Sequence, residues 1–297
     1  MRQEAAYLAV QSICREYNVS ICRMCAIAGI ARASYYKWLN REIPEAELLN
    51  EAIAEAVMSI HKEYPDKGHR RIRDDLLRDY GFDVSDRRVL RICRVLGIKS
   101  TIKYERNSCT VNAKDPQHIS ENILKRNFRA DAPNEKWLTD VTEFKYYEGS
   151  EKRKVYLSAI LDLYDRRIVA YVIGEGNNNP LVYDTFKKAV TSYPDAHPLF
   201  HSDRGFQYTN AVFHEMLTEH GMTQSMSRVG KCIDNGPIEG FWGILKRECY
   251  YGKRFESRED IVDMIESYIY YYNNRRYQRQ LGVVTPVEKY EQYLSAA

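Results

Sequence analysis

Three stretches of strand-forming residues, the middle one alternating, follow one another with barely a break between positions 136 and 173. Residues 137–147 form the first. Residues 153–162 form the second, with Val155, Leu157, Ala159 and Leu161 on one face, and 167–173 form the third. Successive side chains of a strand point to opposite faces, so this spacing predicts half-buried strands. The interruptions at 148–151 and 163–166 leave room only for turns, so the three strands pair as an antiparallel meander. The period then changes. Residues 179–192 read as a helix, 197–202 as a short buried strand, 210–220 as a helix and 222–226 as another strand. Helices at 235–250 and 257–274 follow.

The order βββ-α-β-α-β-α predicts an α/β, ribonuclease-H-like domain, a five-strand mixed sheet flanked by helices. What precedes it is all-helical. Residues 1–40 read as two or three short helices. Within 20–39 a helix, a turn at Gly29 and a second helix from about 31–33 give a helix-turn-helix layout. Arg32, Ser34, Tyr35 and Lys37 then lie near the start of the second helix, where base or phosphate contacts are made; a plain helical hairpin is the alternative. Pro44 marks a linker at 41–47, and Leu48, Leu49, Ile53, Ala56, Val57 and Ile60 give 48–60 a helical period. In 68–97, Ser85 or Asp86 opens a helix, Gly97 stops it, and Val89, Ile92, Cys93 and Leu96 form its apolar stripe. Arg87, Arg91 and Arg94 share another face, suited to lie along DNA unless Asp74, Asp75 and Asp79 neutralise it. Residues 101–133 are polar and irregular, with one short helix expected at 118–126. The expected domains are thus 1–43, a helix-turn-helix-like segment; 44–106, a basic DNA-binding unit; 107–133, a linker; and 134–297, the catalytic core.

Charge supports this division. The net charge is only +3, but 61–106 carries 13 lysines and arginines against 8 acids. A basic module beside a near-neutral one suits a protein that grips phosphates with one part and works on them with another. No apolar run is long enough to span a bilayer, and the first residues lack the apolar core and cleavage site of a signal peptide. A cytoplasmic protein, on the nucleoid when bound to DNA, is expected. Seven cysteines without framework spacing point to reduced thiols. Cys22 and Cys25 form a CxxC with no second ligand pair nearby, so with Cys14 they are expected as small buried hydrophobes rather than zinc ligands.

Three acids occupy telling positions: Asp140 within the first strand, Asp203 just after the fourth, and Glu239 in the helix that follows the fifth. With the first and fourth strands adjacent, these carboxylates converge. Clustered carboxylates repel one another unless cations neutralise them, and oxygen ligands suit Mg2+ or Mn2+. Two such ions, roughly 3.5–4 Å apart, serve phosphodiester chemistry without a covalent nucleophile. Glu143 is an odd number of residues from Asp140, faces the other side of the sheet, and is set aside as a ligand. His201 is expected to be packed rather than ligating, Arg204 and Gln207 to touch DNA or brace the acid loop, and Asn235 to cap the helix of Glu239. Glu239, Gly243, Lys246 and Tyr250 share one helical face, which aims Lys246 at the DNA backbone; Ile238, Phe241, Trp242, Leu245 and Cys249 face the sheet.

The 35 residues between Asp203 and Glu239 resemble the D,D(35)E signature of retroviral integrases and related transposases. The surrounding words agree: W-x-T-D-x-T-E-F at 137–144, H-S-D-R-G-x-Q-Y at 201–208, S-M-S-R at 225–228, and D-N at 234–235. E-x-F at 239–241, L-K at 245–246, Y-N-x-x-R at 272–276 and L-G-x-x-T-P at 281–286 continue the match. Over roughly 60–290 the chain resembles the second-frame (OrfB) product of the insertion sequence three family. The resemblance implies an integrase-type catalytic core in which Asp140, Asp203 and Glu239 hold two Mg2+ or Mn2+ ions. It also implies action on terminal inverted repeats and target DNA, a homo-oligomer on DNA, and fusion or partnership with an upstream-frame (OrfA) protein. No four-heptad zipper is present. Gly236-Pro237 and Gly240-Phe241-Trp242 depart from the family pattern, the latter replacing Ser-Phe-Phe. The alternatives are a structure-selective nuclease of the same fold and a non-catalytic DNA-binding regulator.

Overall fold

The computed structural model describes residues 4–42, 44–102, 117–229 and 232–296. The chain divides into two compact units, Met1–Ala56 and Val57–Ala297. The expected basic unit at 44–106 and linker at 107–133 each lie partly outside the described residues.

The first unit holds α1 (Glu4–Tyr17), α2 (Ile21–Ile27), α3 (Arg32–Leu39) and the first part of α4 (Glu45–Glu63). Tyr7, Val10, Cys25, Ile30 and Tyr35 make its core. Between α2 and α3 the chain turns at Gly29, where φ is +66°, a conformation that glycine adopts without steric cost. The helix-turn-helix layout is present, with Arg32 and Lys37 exposed on α3. Tyr35 is not on that outer face: it is buried, its ring 6.3 Å from that of Tyr7, because α3 needs an aromatic to fill so small a core. Cys25 is buried and Cys14 half-buried, as small hydrophobes are, but Cys22 points outward from α2.

The second unit begins with the rest of α4, α5 (His69–Asp79) and α6 (Asp86–Val95). Ser85 caps α6, its hydroxyl accepting from the Arg88 N–H at 3.3 Å, and Gly97 ends the turn after it at φ +70°. Ile72, Leu76, Val89, Ile92 and Cys93 are buried. Leu48 and Leu49 are exposed instead of joining the buried line of Ile53, Ala56, Val57 and Ile60 on α4.

The rest of the second unit has strands β1 (Lys136–Glu148), β2 (Glu151–Asp162), β3 (Ile168–Gly174), β4 (Leu199–Ser202) and β5 (Thr223–Met226). Its helices are α7 (Asn179–Ser192), α8 (Ala211–Glu219), α9 (Gly236–Leu245), α10 (Arg258–Asn274) and α11 (Pro286–Ala296). The sheet order is β3-β2-β1-β4-β5, with β1 antiparallel to β2 and parallel to β4. This is the ribonuclease-H-like arrangement. The alternation of β1 feeds two cores. Leu138 and Phe144 pack with Ile238, Phe241, Ile265 and Tyr272 on one face, and Trp137 packs with Phe186, Phe200 and Phe213 on the other. The helix α11 lies beyond the last one expected.

Residues 117–133 form no helix, contrary to expectation. Lys125 and Arg126 have φ of +48° and +62°, which no α-helix accommodates. The Ile123 and Leu124 N–H groups instead donate to the Ser225 hydroxyl at 3.0 and 3.1 Å, and the Leu124 side chain is buried. This stretch is laid against β5 rather than hanging as a tether. Among the described residues no helix is long and apolar enough to cross a membrane.

Candidate active site

Sheet register brings the first two acids together. Leu138 on β1 pairs with His201 on β4, and the strands run parallel. Carried two residues onward, that register sets Asp203 level with Asp140 at the carboxyl end of β4. The chain leaves β1 in one direction for β2 and β3 and in the other for β4 and β5, a switch point of the kind where open α/β sheets place their ligands. Glu239 stands in the first turn of α9. That turn is tied to β1 beside the first acid: the Asn235 side-chain amide donates to the Thr139 carbonyl at 3.1 Å. The sequence points to Asn235 as the cap of α9; its side chain makes no cap bond and is used for this tether instead.

The electrostatics agree with a shared site. Burial and then the charge of Asp203 push the Asp140 carboxyl well above the ordinary carboxylate range, with Glu239 adding a smaller push. Burial also raises Asp203, against a stabilising N–H from Gly205. Burial and the Asp203 charge raise Glu239. The acids therefore feel one another, yet among the described residues no three acids, histidines or cysteines are gathered closely enough to close round one ion. Local donors brace the first two acids, the Val141 backbone among them. Trp242 Nε1–H donates to Asp140 Oδ2 at 3.0 Å, and Gly205 N–H donates to Asp203 Oδ1 at 2.8 Å.

The word H-S-D-R-G-x-Q-Y describes a rigid loop. His201 is buried with Nδ1 2.9 Å from the Ser225 hydroxyl and Nε2 3.1 Å from that of Ser227, so it is packed and not a ligand. Burial takes its pKa down to about 4. Arg204 Nε donates to the Ser227 carbonyl at 2.8 Å, bracing the loop. A Cβ on residue 205 would come within 2.9 Å of Asp203 Oδ1, so the close approach of carboxylate to backbone requires glycine. Gln207 bonds to Asn177. Tyr208 is buried with its hydroxyl 3.4 Å from that of Thr139, and burial with the Asp140 and Asp203 charges holds its phenol protonated.

Asp234, whose part the sequence did not disclose, pins the approach to α9. Its buried carboxylate takes Arg228 Nε and Nη2, both at 2.9 Å, Arg126 Nε at 2.6 Å and Asn122 Nδ2 at 3.0 Å. The only sequence signal was its place in the D-N word before α9. Glu143 is engaged away from the acids, with Lys154 at 2.9 Å and Tyr156 at 3.2 Å.

The basic residues divide. Arg87, Arg91 and Arg94 are exposed on α6, and among the described residues no acid pairs with them. The acids expected to compete for them are engaged elsewhere: Asp74 with Arg279, Asp75 with Lys67 and Asp79 with Tyr277. Lys246 does not project from the Glu239 face. The α-helix ends at Leu245 and a π-helical turn, Lys246–Tyr250, follows. The Tyr250 hydroxyl hooks the Lys145 backbone, accepting its N–H at 2.9 Å. The wider turn carries Lys246 inward, where its ammonium lies 5.1 Å from the Phe144 ring centre.

Comparison with known proteins gives a consistent picture. Models of the integrase core domain match residues 130–232 and 239–294, and that of an HTH-like domain matches 48–106. A transposase-like protein of Haemophilus influenzae is 42% identical over 71% of this chain and 95% of its own length. The putative transposase InsK of element IS150 from Escherichia coli is 37% identical over 74% of this chain and 76% of its own. InsF, the transposase of IS3A from E. coli, is 28% identical over 92% of this chain and 94% of its own.

Proposed function

The chain belongs to the insertion sequence three family of DNA transposases, and from that premise we propose how it acts: it cleaves the ends of its element and joins each freed 3′-hydroxyl to another strand, at a site made by Asp140, Asp203 and Glu239. The donor set suits divalent cations. It is all carboxylate oxygen, and each acid is raised by burial first, with the Asp203 charge adding to the push on Asp140 and Glu239. Two bound Mg2+ or Mn2+ ions would activate the attacking oxygen and stabilise the leaving one. Asp140 and Asp203 would each contribute to holding the ions while braced by local donors, and Glu239, exposed on α9, would complete the set.

The side chains nearby leave the attacking oxygen to water or to DNA. Both ring nitrogens of His201 are occupied by serine hydroxyls. Tyr208 is buried and protonated, unfit to attack phosphorus. Terminal inverted repeats and target DNA are the substrates. The exposed arginines 87, 91 and 94 lie along phosphates, and Arg32 and Lys37 contact DNA from α3. Arg204 acts by bracing the acid loop, and Lys246 by supporting β1 under the site. The domains serve as 1–43 and 44–106 for DNA, 107–133 as their connection to the core, and 134–297 for catalysis. The protein works as a homo-oligomer on DNA in the cytoplasm, with an upstream-frame partner or fusion.

The observation that supports this reading is the parallel pairing of Leu138 with His201, each two residues before an acid, together with the Asp203 charge felt at both Asp140 and Glu239. Strand transfer with labelled inverted-repeat ends and Mg2+ tests it. Joined product is expected; hydrolysis alone would mean a nuclease, and binding alone a regulator. D203N should abolish joining while leaving DNA binding intact, and wild-type joining by D203N refutes the assignment.

A further inference from the structure

We propose that Trp242 is a positioning residue for Asp140: its indole N–H, 3.0 Å from Oδ2, fixes the rotamer in which that carboxylate meets a divalent cation. The inference rests on the proposed acid site and extends it to a residue that touches neither DNA nor cation.

Three features of the structure support it. Trp242 has no freedom to swing, being 6% exposed with its ring centre 5.0 Å from that of Phe241. Its donor is directed at an acid rather than at a backbone carbonyl, and a hydrogen bond to a charged acceptor is stronger than a neutral one. It also lies three residues after Glu239 on α9, so the two project from adjoining positions of one helix. One rigid element therefore carries the third acid and aims the first. A phenylalanine at 242 would fill nearly the same space against Phe241 but leave Oδ2 without that donor. The carboxylate would then keep only its backbone donor, Val141, and turn more freely about χ2, so cation binding would have to supply more of the free energy that orders it. The indole takes only one of the carboxylate's four lone pairs, so its bond is compatible with ligation.

The test uses the full-length chain, Mn2+ as the probe, and the variants W242F, D140N and their combination. Mn2+ binding is titrated without DNA, and single-turnover joining is measured against Mn2+ concentration. W242F should shift the Mn2+ midpoint about ten-fold upward, equivalent to ~1.4 kcal/mol. Its joining rate should recover at saturating Mn2+, and its affinity for inverted-repeat DNA should be unchanged. In the D140N background W242F should add nothing, since the two act through one bond. Emission offers a readout on the unaltered chain: Trp242 is one of three tryptophans, and saturating Mn2+ should quench the part of the signal that W242F lacks. A W242F midpoint equal to or tighter than wild type overturns the proposal, as does wild-type emission indifferent to bound Mn2+. Wild-type Mn2+ binding and joining by D140N would overturn the acid-site reading itself, a distinct outcome.

Discussion

Removing the charge of Glu248 should destabilise the second unit severely, although Glu248 is no part of the acid site. It lies in the π-helical turn after α9 with its side chain 6% exposed. Arg276 Nη2 reaches it at 2.8 Å, Arg71 Nη1 at 2.9 Å and the Tyr268 hydroxyl at 2.7 Å. In E248Q the shape is kept but two largely buried guanidiniums lose their common counter-charge. Arg71 retains Asp66 at 2.8 Å, so the greater loss falls on Arg276. Breaking a buried pair by removing one partner costs about 3–5 kcal/mol. The amide can still accept one hydrogen bond, which places the expected loss near the lower end, ~3 kcal/mol. For a unit of this size that is a fall in Tm of roughly 6–12 °C. Burial opposes ionisation of Glu248, but the charges of Arg276 and Arg71 outweigh it, and its pKa lies below the ordinary glutamate value. The stability it contributes is therefore present above that value and lost as pH falls through the lower folded one. Urea denaturation of both proteins across pH should show curves that are well separated at neutrality and converge in acid. A difference under about 1 kcal/mol at neutral pH, or one that persists unchanged in acid, refutes the reasoning.

Two further outcomes are expected. The triple variant R87A/R91A/R94A should bind inverted-repeat DNA more weakly and show a log–log salt dependence shallower by roughly 2.7, about 0.9 for each phosphate left unneutralised; an unchanged slope in fluorescence anisotropy would mean that α6 faces away from DNA. His201 has its pKa lowered to about 4 by burial, so the fold should lose stability as pH falls from the ordinary histidine range toward that value, and H201Q should lack this component in denaturation at pH 7 and pH 5.

The strands were legible because runs of strand formers bounded by short turns are a local signal, sharpest where 153–162 alternates. Parity alone excluded Glu143, and the structure ties it to Lys154. The three acids were legible as words at the ends of elements. What was hidden depends on contacts far apart in sequence. Arg71 bonds the Tyr271 hydroxyl across 200 residues, and no periodicity encodes such a pair. The π-helical turn that draws Lys246 inward reads locally as more α-helix; it is set by the grip of Tyr250 on the Lys145 backbone. Asn235 has the composition of a cap, but the nearby Thr139 carbonyl takes its amide. A sequence read by propensity assigns each residue its commonest local use, and the site commits several of them to tertiary bonds.

Those bonds explain why so short a helix as α9 can hold an acid in place. With ten residues it spans only about 15 Å, too little to be stable by itself. Its start is fixed twice, by Asn235 on β1 and by Asp234 among Arg126, Arg228 and Asn122. Its apolar face, Ile238, Phe241 and Leu245, is buried against the sheet and α10. The turn beyond its end is held by Glu248 between Arg276 of the α10 terminus and Arg71 of α5. Glu239 thus sits on an element whose apolar face supplies adhesion and whose charged ends supply register. The second matters more for chemistry, because hydrophobic packing tolerates small slides that a cation-binding carboxylate does not. Since Arg71 belongs to α5, which packs against α6, the element that aims the third acid is anchored in the helix pair whose second member presents those arginines.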